Sequence, residues 1–185
     1  MTAPKAGSLL VASVALTDGV FDRSVVLILD SDGDGALGVI LNEISQTPLD
    51  AVLGDWVPVV SDPPYLFHGG PVSPNGAICL ASVADPAEEP PGWRRMFSTI
   101  GLLHLDTPVE IVRGAYRDLR IFAGYAGWEA GQLEAEIATG QWHVVPAVYS
   151  DVFSTRPLDL WRTVLRRQRG ELAYFSTWTE DPESN

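Results

Sequence analysis

Residues 24–30 read Ser-Val-Val-Leu-Ile-Leu-Asp, with five unbroken apolar side chains in the middle. Successive side chains of a strand point to opposite faces, so a strand with one wet face alternates polar and apolar residues. This run does not alternate. As a strand it must be covered on both sides. The chain therefore has to place layers against both faces of a sheet. With 185 residues it can bury such a core in one domain without disulfides or a structural metal. Its 46% hydrophobic and 19% charged residues exclude wholesale disorder.

Seven further segments rich in apolar and β-branched residues read as strands: 9–16, 37–41, 65–68, 77–82, 109–113, 119–123 and 142–145. Residues 8–16 could also pass for a secretory apolar core, but Lys5 alone precedes them, and a buried strand is the better reading. Three helices are expected. Thr47 caps the first, with Pro48 at its first position and Gly54 past its end. A second covers 130–139, with Leu133 and Ile137 on one face and Gly140 as its stop. The third covers 158–169, with Leu158, Trp161, Val164 and Leu165 on one face and Gly170 after it. The proline- and acid-rich residues 85–92 read as a loop. Many strands and few helices argue α+β. Residues 1–178 are expected to form a single domain and 179–185 a polar tail.

The formal net charge is −12, which opposes binding to phosphate backbones and anionic membranes. No run approaches a membrane span. The lone Cys79 cannot form an internal disulfide, and a cytoplasmic setting is expected.

Several stretches imitate chemical motifs. Asp30, Asp32, Asp34 and Gly35 match half of a calcium loop, but its twelfth position is Leu41 instead of a bidentate Glu. An exposed acidic hairpin tip without metal is expected. Residues 33–38 match G-x-G-x-x-G, yet the next residues favour a strand where a dinucleotide site needs a helix N-terminus. His68-Gly69-Gly70-Pro71 resembles an esterase oxyanion loop, but no G-x-S-x-G elbow occurs, and Ser73 lacks a supporting motif. His68, His104 and His143 lack zinc spacing, and no Walker-type phosphate loop is present. No metal and no cofactor is expected. Arg162, Arg166 and Arg169 fall at i, i+4 and i+7. They read as a solvated helix face or as a docking face for an acidic partner.

Residues 124–136 read Gly-Tyr-Ala-Gly-Trp-Glu-Ala-Gly-Gln-Leu-Glu-Ala-Glu, followed by Trp142. Together with Phe21, Arg23 and Ser24 after an opening strand, Gly35 to Asn42, His68 to Val72, Asp151-Val152-Phe153 and Leu158 to Trp161, this closely resembles the bacterial YqgE/AlgH family. Asp18 is a further landmark. The resemblance spans roughly residues 7–170. It implies one compact α+β domain with a mixed, partly barrel-like sheet and a few peripheral helices. It also carries a label of transcriptional regulation, although no helix-turn-helix with a basic second helix is visible here.

Read physically, Gly124, Gly127 and Gly131 permit tight turns where a strand passes into a helix. On that reading valine at Gly127 breaks the fold. Gln132 and Glu136 either tie down this junction or line a functional surface. The candidate binding surface comprises Gly69, Gly70, Pro71, Gly124, Tyr125, Gly127, Trp128, Gln132 and Glu136. A carboxylate pair from Glu129 and Glu136 is conceivable for acid/base work, though no spacing requires it. The leading expectation is a non-enzymatic binding or regulatory protein acting through protein contacts. A small-molecule hydrolase and a direct DNA regulator are the alternatives.

Overall fold

A computed structural model describes residues 4–17 and 19–179. Asp18 and the tail beyond Thr179 lie outside the described residues. Ten strands form one curled, half-barrel sheet: β1 (Ser8–Ala12), β2 (Val25–Asp32), β3 (Gly35–Ile40), β4 (Ile44–Pro48), β5 (Tyr65–His68), β6 (Val72–Val83), β7 (Trp93–Phe97), β8 (Ile100–Leu103), β9 (Tyr116–Glu129) and β10 (Trp142–Pro146). The main path runs β10-β1-β2-β3-β9-β6-β8-β7, with β5 joining β4 to β9. All pairings are antiparallel except β5 with β9, so the sheet is mixed. The helices are α1 (Leu49–Leu53), α2 (Val109–Val112), α3 (Gln132–Ala138), α4 (Tyr149–Val152), α5 (Leu160–Arg166) and α6 (Glu171–Tyr174).

β2 is covered on both faces, as its missing alternation demands. Val25, Leu27 and Leu29 join Leu160, Trp161, Val164 and Leu165 of α5 in one core. Val26 and Ile28 point the other way and join Trp128, Leu133 and Trp142 in a second. A third core packs Leu49, Trp56 and Val112 against Cys79, Ala81, Leu119 and Ile121. One α+β domain with helices around its sheet results.

Several local expectations need correction. Residues 109–113 form the short α2 instead of a strand. Pro108 fixes its entry, Val112 is buried in the core with Val109 packed half-buried against it, and Ile111 is exposed. β1 stops at Ala12, where the Leu16 amide reaches back to the Ser13 carbonyl in a turn. The first helix starts one residue late, with Pro48 as its N-cap and Thr47 still in β4. The last expected helix is divided. Residues 157–159 form a 3-10 turn, α5 ends at Arg166, and Gly170 (φ 71°) separates it from α6. Strands β4, β7 and β8 were not anticipated.

β9 spans 14 residues and serves two halves of the sheet. Its first part pairs with β6 from Tyr116 to Ala123. Its last part, Ala126 to Glu129, pairs with β3. Gly124 sits between them with φ 72°. The glycine-rich signature is therefore a strand that changes partners. The chain enters α3 only at Gly131 (φ 79°), later than the sequence reading places the turn.

Candidate functional site

The loop of Gly69, Gly70 and Pro71 lies against this switch. The Gly69 amide donates to the Ala123 carbonyl (2.8 Å), and the Gly69 carbonyl accepts from the Ile40 amide (2.8 Å). Opposite Gly124, residues 73–76 bulge out of β6 between the pairs Val72–Tyr125 and Ala77–Ala123. The backbones touch here. A Cβ on Gly124 would fall 2.4 Å from the Gly70 carbonyl oxygen and 3.2 Å from Pro74 Cα. A Cβ on Gly70 would fall 2.2 Å from the Tyr125 carbonyl carbon.

Past Gly124 the strand alternates. Ala126 and Trp128 are buried, Gly127 and Glu129 are exposed, and Tyr125 is half-buried. A Cβ on Gly127 would meet only Tyr125 Cε2 at 3.6 Å and Val72 Cγ2 at 3.8 Å, which is ordinary contact. Gly127 thus stands in regular strand and is not a turn residue. The expectation that valine there breaks the fold is withdrawn.

Glu136 holds α3 to this strand. Its Oε2 accepts from the indole N–H of Trp128 (2.9 Å) and of Trp142 (2.8 Å), and its Oε1 accepts from Gln132 Nε2 (3.1 Å). Gln132 Oε1 in turn accepts from the Glu129 amide (3.0 Å). The two indoles meet edge-on, at 6.1 Å between centroids, and Phe21 packs against both. Trp128, Gln132 and Glu136 are committed to one another.

The surface left open on this strand is a cleft of ≈ 480 Å³ between β9 and the β2–β3 hairpin. Gly127 lies between the Tyr125 ring and Val72, and Leu37 adds a third apolar wall. Asp30, Asp32, Asp34 and Glu129 also line it, with no lysine or arginine among the lining residues. The hairpin tip is exposed and held locally: the Asp34 amide donates to Asp32 Oδ1 (2.8 Å) and the Ser31 amide to Asp30 Oδ1 (2.9 Å). The position that a calcium loop would give to Glu, Leu41, is fully buried in the core.

The expected basic face is dispersed. Arg162 donates to the carbonyls of Ser176 and Trp178 and so pins the end of the described chain. Arg166 is exposed at the end of α5, and Arg169 is exposed beyond it, off the helix. Arg167 makes two bonds to buried Asp151 (2.8 and 2.7 Å), and Arg156 pairs with Asp159 (2.7 Å).

The histidines stay apart from these groups. His68 Nδ1 is 3.4 Å from Glu43 Oε1 without hydrogen-bond geometry, while exposed His104 lies 3.5 Å from Asp106. His143 stacks on Phe175, and burial lowers its pKa. Ser73 is exposed on the 73–76 bulge. Among the described residues no group of three His, Cys, Asp or Glu side chains is placed to hold a metal. Cys79 is buried, and desolvation pushes its thiol pKa far up, away from the reactive thiolate. A thiol reagent such as dithiobisnitrobenzoate is expected to leave native Cys79 unmodified over hours and to titrate one thiol per chain in urea. Rapid native labelling would show that the β6 core opens.

Arg120 escaped sequence reasoning. It sits in β9 with 1% exposure and stacks over Phe67 at 4.3 Å from the ring centroid. Its guanidinium donates to the carbonyls of Ser154 (2.9 Å) and Asp62 (2.6 Å). Burial lowers its pKa to about 10, against the pull of Asp118 and Asp62, so it stays charged at neutral pH. The only signal in the sequence is an arginine inside the apolar run 119–123.

A curled half-barrel sheet whose longest strand changes partners at a glycine, with short helices around it, makes this a single compact α+β domain. The chain belongs to the AlgH-like family (DUF179), whose model matches residues 9–173. It is 48% identical to a UPF0301 protein of Streptomyces coelicolor over 97% of this chain and 94% of that one. It is 40% identical to a UPF0301 protein of Mycobacterium tuberculosis over 98% and 91% of the two chains. A crystal structure of a Corynebacterium diphtheriae protein superposes with a TM-score of 0.89 at 33% identity, covering 96% of this chain and 94% of that one. The solution structure of the AlgH protein from Pseudomonas aeruginosa shares the fold, with a TM-score of 0.70 at 24% identity and 98% coverage of both chains. No helix among the described residues is long and apolar enough to cross a membrane.

Proposed function

We propose that this chain is a cytoplasmic, non-enzymatic binding or regulatory protein acting through protein contacts, which docks a partner protein in the cleft beside β9. One observation carries this reading. Gln132 and Glu136 are taken up in tying α3 to β9, so of the signature's two candidate acid/base carboxylates only Glu129 faces the adjoining cleft, which is open and lined by apolar and acidic groups. Four carboxylates make the cleft repellent to phosphate, which disfavours nucleic acid as the partner.

Incorporating the photo-crosslinker benzoylphenylalanine at Gly33, on the hairpin tip at the rim of the cleft where a Cβ meets nothing within 4 Å, tests the reading in cells of the source organism and leaves the cleft itself open. A discrete protein adduct is expected from position 33 and not from exposed Val52 on α1. No adduct at Gly33 overturns docking at this cleft. Turnover on a broad hydrolase panel that vanishes in a fully folded Asp32→Asn variant replaces it with the enzyme reading.

A further inference from the structure

Resting on that docking reading, we propose that the cleft takes a basic, extended segment of the partner protein and seats one of its arginine side chains. Charge is the first ground. Asp30, Asp32, Asp34 and Glu129 converge on a cleft with no cationic lining residue, and none of the four forms an ion pair among the described residues. The cleft thus presents four carboxylates whose charge the chain's own lysines and arginines do not offset there.

Shape and polarity are the second ground. The glycine at 127 leaves the Tyr125 ring and Val72 uncovered, and Leu37 lines the same space. A bare cation would use the carboxylates and waste these apolar walls. A purely apolar segment would fill the walls and strip water from four carboxylates without replacing it. An arginine side chain satisfies both, since its alkyl stem packs on apolar surface and its planar guanidinium stacks on an aromatic ring while pairing with carboxylates. The volume of ≈ 480 Å³ accommodates such a side chain with its neighbours.

The probe is a fluorescein-labelled nonapeptide of alternating arginine and alanine, with a counterpart in which citrulline replaces arginine. Citrulline keeps the shape and removes the charge. In anisotropy titrations at about 150 mM salt, the arginine peptide is expected to bind at least ~10-fold more tightly than the citrulline peptide, and to weaken as salt rises. Asp32→Asn with Asp34→Asn is expected to weaken binding by ~10-fold or more. Gly127→Leu, which fills the cleft at constant charge, is expected to do the same. Glu88→Gln with Glu89→Gln, an equal charge change on the 85–92 loop, is expected to stay within about twofold.

Equal losses from both acid pairs, or full binding by a folded Gly127→Leu, overturn the proposal in favour of general attraction to an acidic body. Amide chemical shifts of the wild-type protein give a readout independent of any variant. Changes centred on Asp32, Tyr125 and Gly127 support the site, and changes centred elsewhere overturn it. If the peptide fails while the Gly33 crosslinker still captures a partner, the docking reading stands and the basic segment falls.

Discussion

Gly124→Ala is expected to destabilise the protein by about 2–5 kcal/mol, combining the ~1–2 kcal/mol of a left-handed non-glycine residue with the ~1–3 kcal/mol of overpacking. The backbone at Gly124 has φ 72°, and a Cβ there would lie 2.4 Å from the Gly70 carbonyl oxygen. That neighbour is backbone held by two strands, so no side chain can swing away to make room. Gly127→Ala, three residues on, is expected to change stability by no more than ~0.5 kcal/mol, because its Cβ makes only ordinary contacts in a regular strand. Urea unfolding of both variants checks the contrast. For a chain of this size the Gly124 variant should melt roughly 10 °C lower. A Gly124→Ala protein as stable as wild type, or a Gly127→Ala protein as damaged as Gly124→Ala, would show that the backbones at the switch are not held in contact.

The two glycines also mark the boundary of what could be read in advance. Both sit in one motif and look alike as letters. What separates them is the partner that β9 meets at each point, and a local pattern does not encode that. β2 was legible because burial on both faces leaves a direct trace, an apolar run without alternation. The strands that escaped notice are ones whose composition hides them. β4 reads Ile-Ser-Gln-Thr-Pro, β7 carries Arg94 and Arg95 at an edge of the sheet, and β8 is four residues with a glycine inside. Polar residues and proline suit edge strands and obscure them in sequence. Residues 109–113 failed in the other direction, since β-branched propensity yielded to Pro108 and to a single buried position.

The cleft was half legible. The acidic turn and the glycine signature each stand out in sequence, and the 69–71 loop lies against Gly124. The pairing that brings Gly35 opposite Glu129, and so the hairpin beside the signature, is long-range and leaves no local mark. The family resemblance supplied the order of the landmarks but not their geometry. Read without that geometry, Glu136 looked as suited to acid/base work as to structure.

Glu136→Leu is the decisive substitution for that question. It removes the acceptor of two indole N–H groups on Trp128 and Trp142, which are 6% and 3% exposed. A buried donor left without a partner costs ~1–3 kcal/mol, so the variant is expected to lose about 2–6 kcal/mol. Glu136→Gln keeps a neutral acceptor for the indoles but turns an amide N–H₂ toward Gln132, whose own oxygen is held by the Glu129 amide. Charge-assisted bonds become neutral ones and one is lost, so a cost of ~1–2 kcal/mol is expected. Glu129→Gln, exposed on the far side of the same turn, is expected to stay within ~0.5 kcal/mol of wild type. Urea unfolding followed by far-ultraviolet circular dichroism measures all three variants on one scale. The graded order Leu, Gln, then Glu129→Gln is the signature of a structural clamp. A Glu136→Leu protein as stable as wild type would remove the clamp from the account. A Glu136→Gln protein of wild-type stability that loses a wild-type turnover would make this carboxylate catalytic.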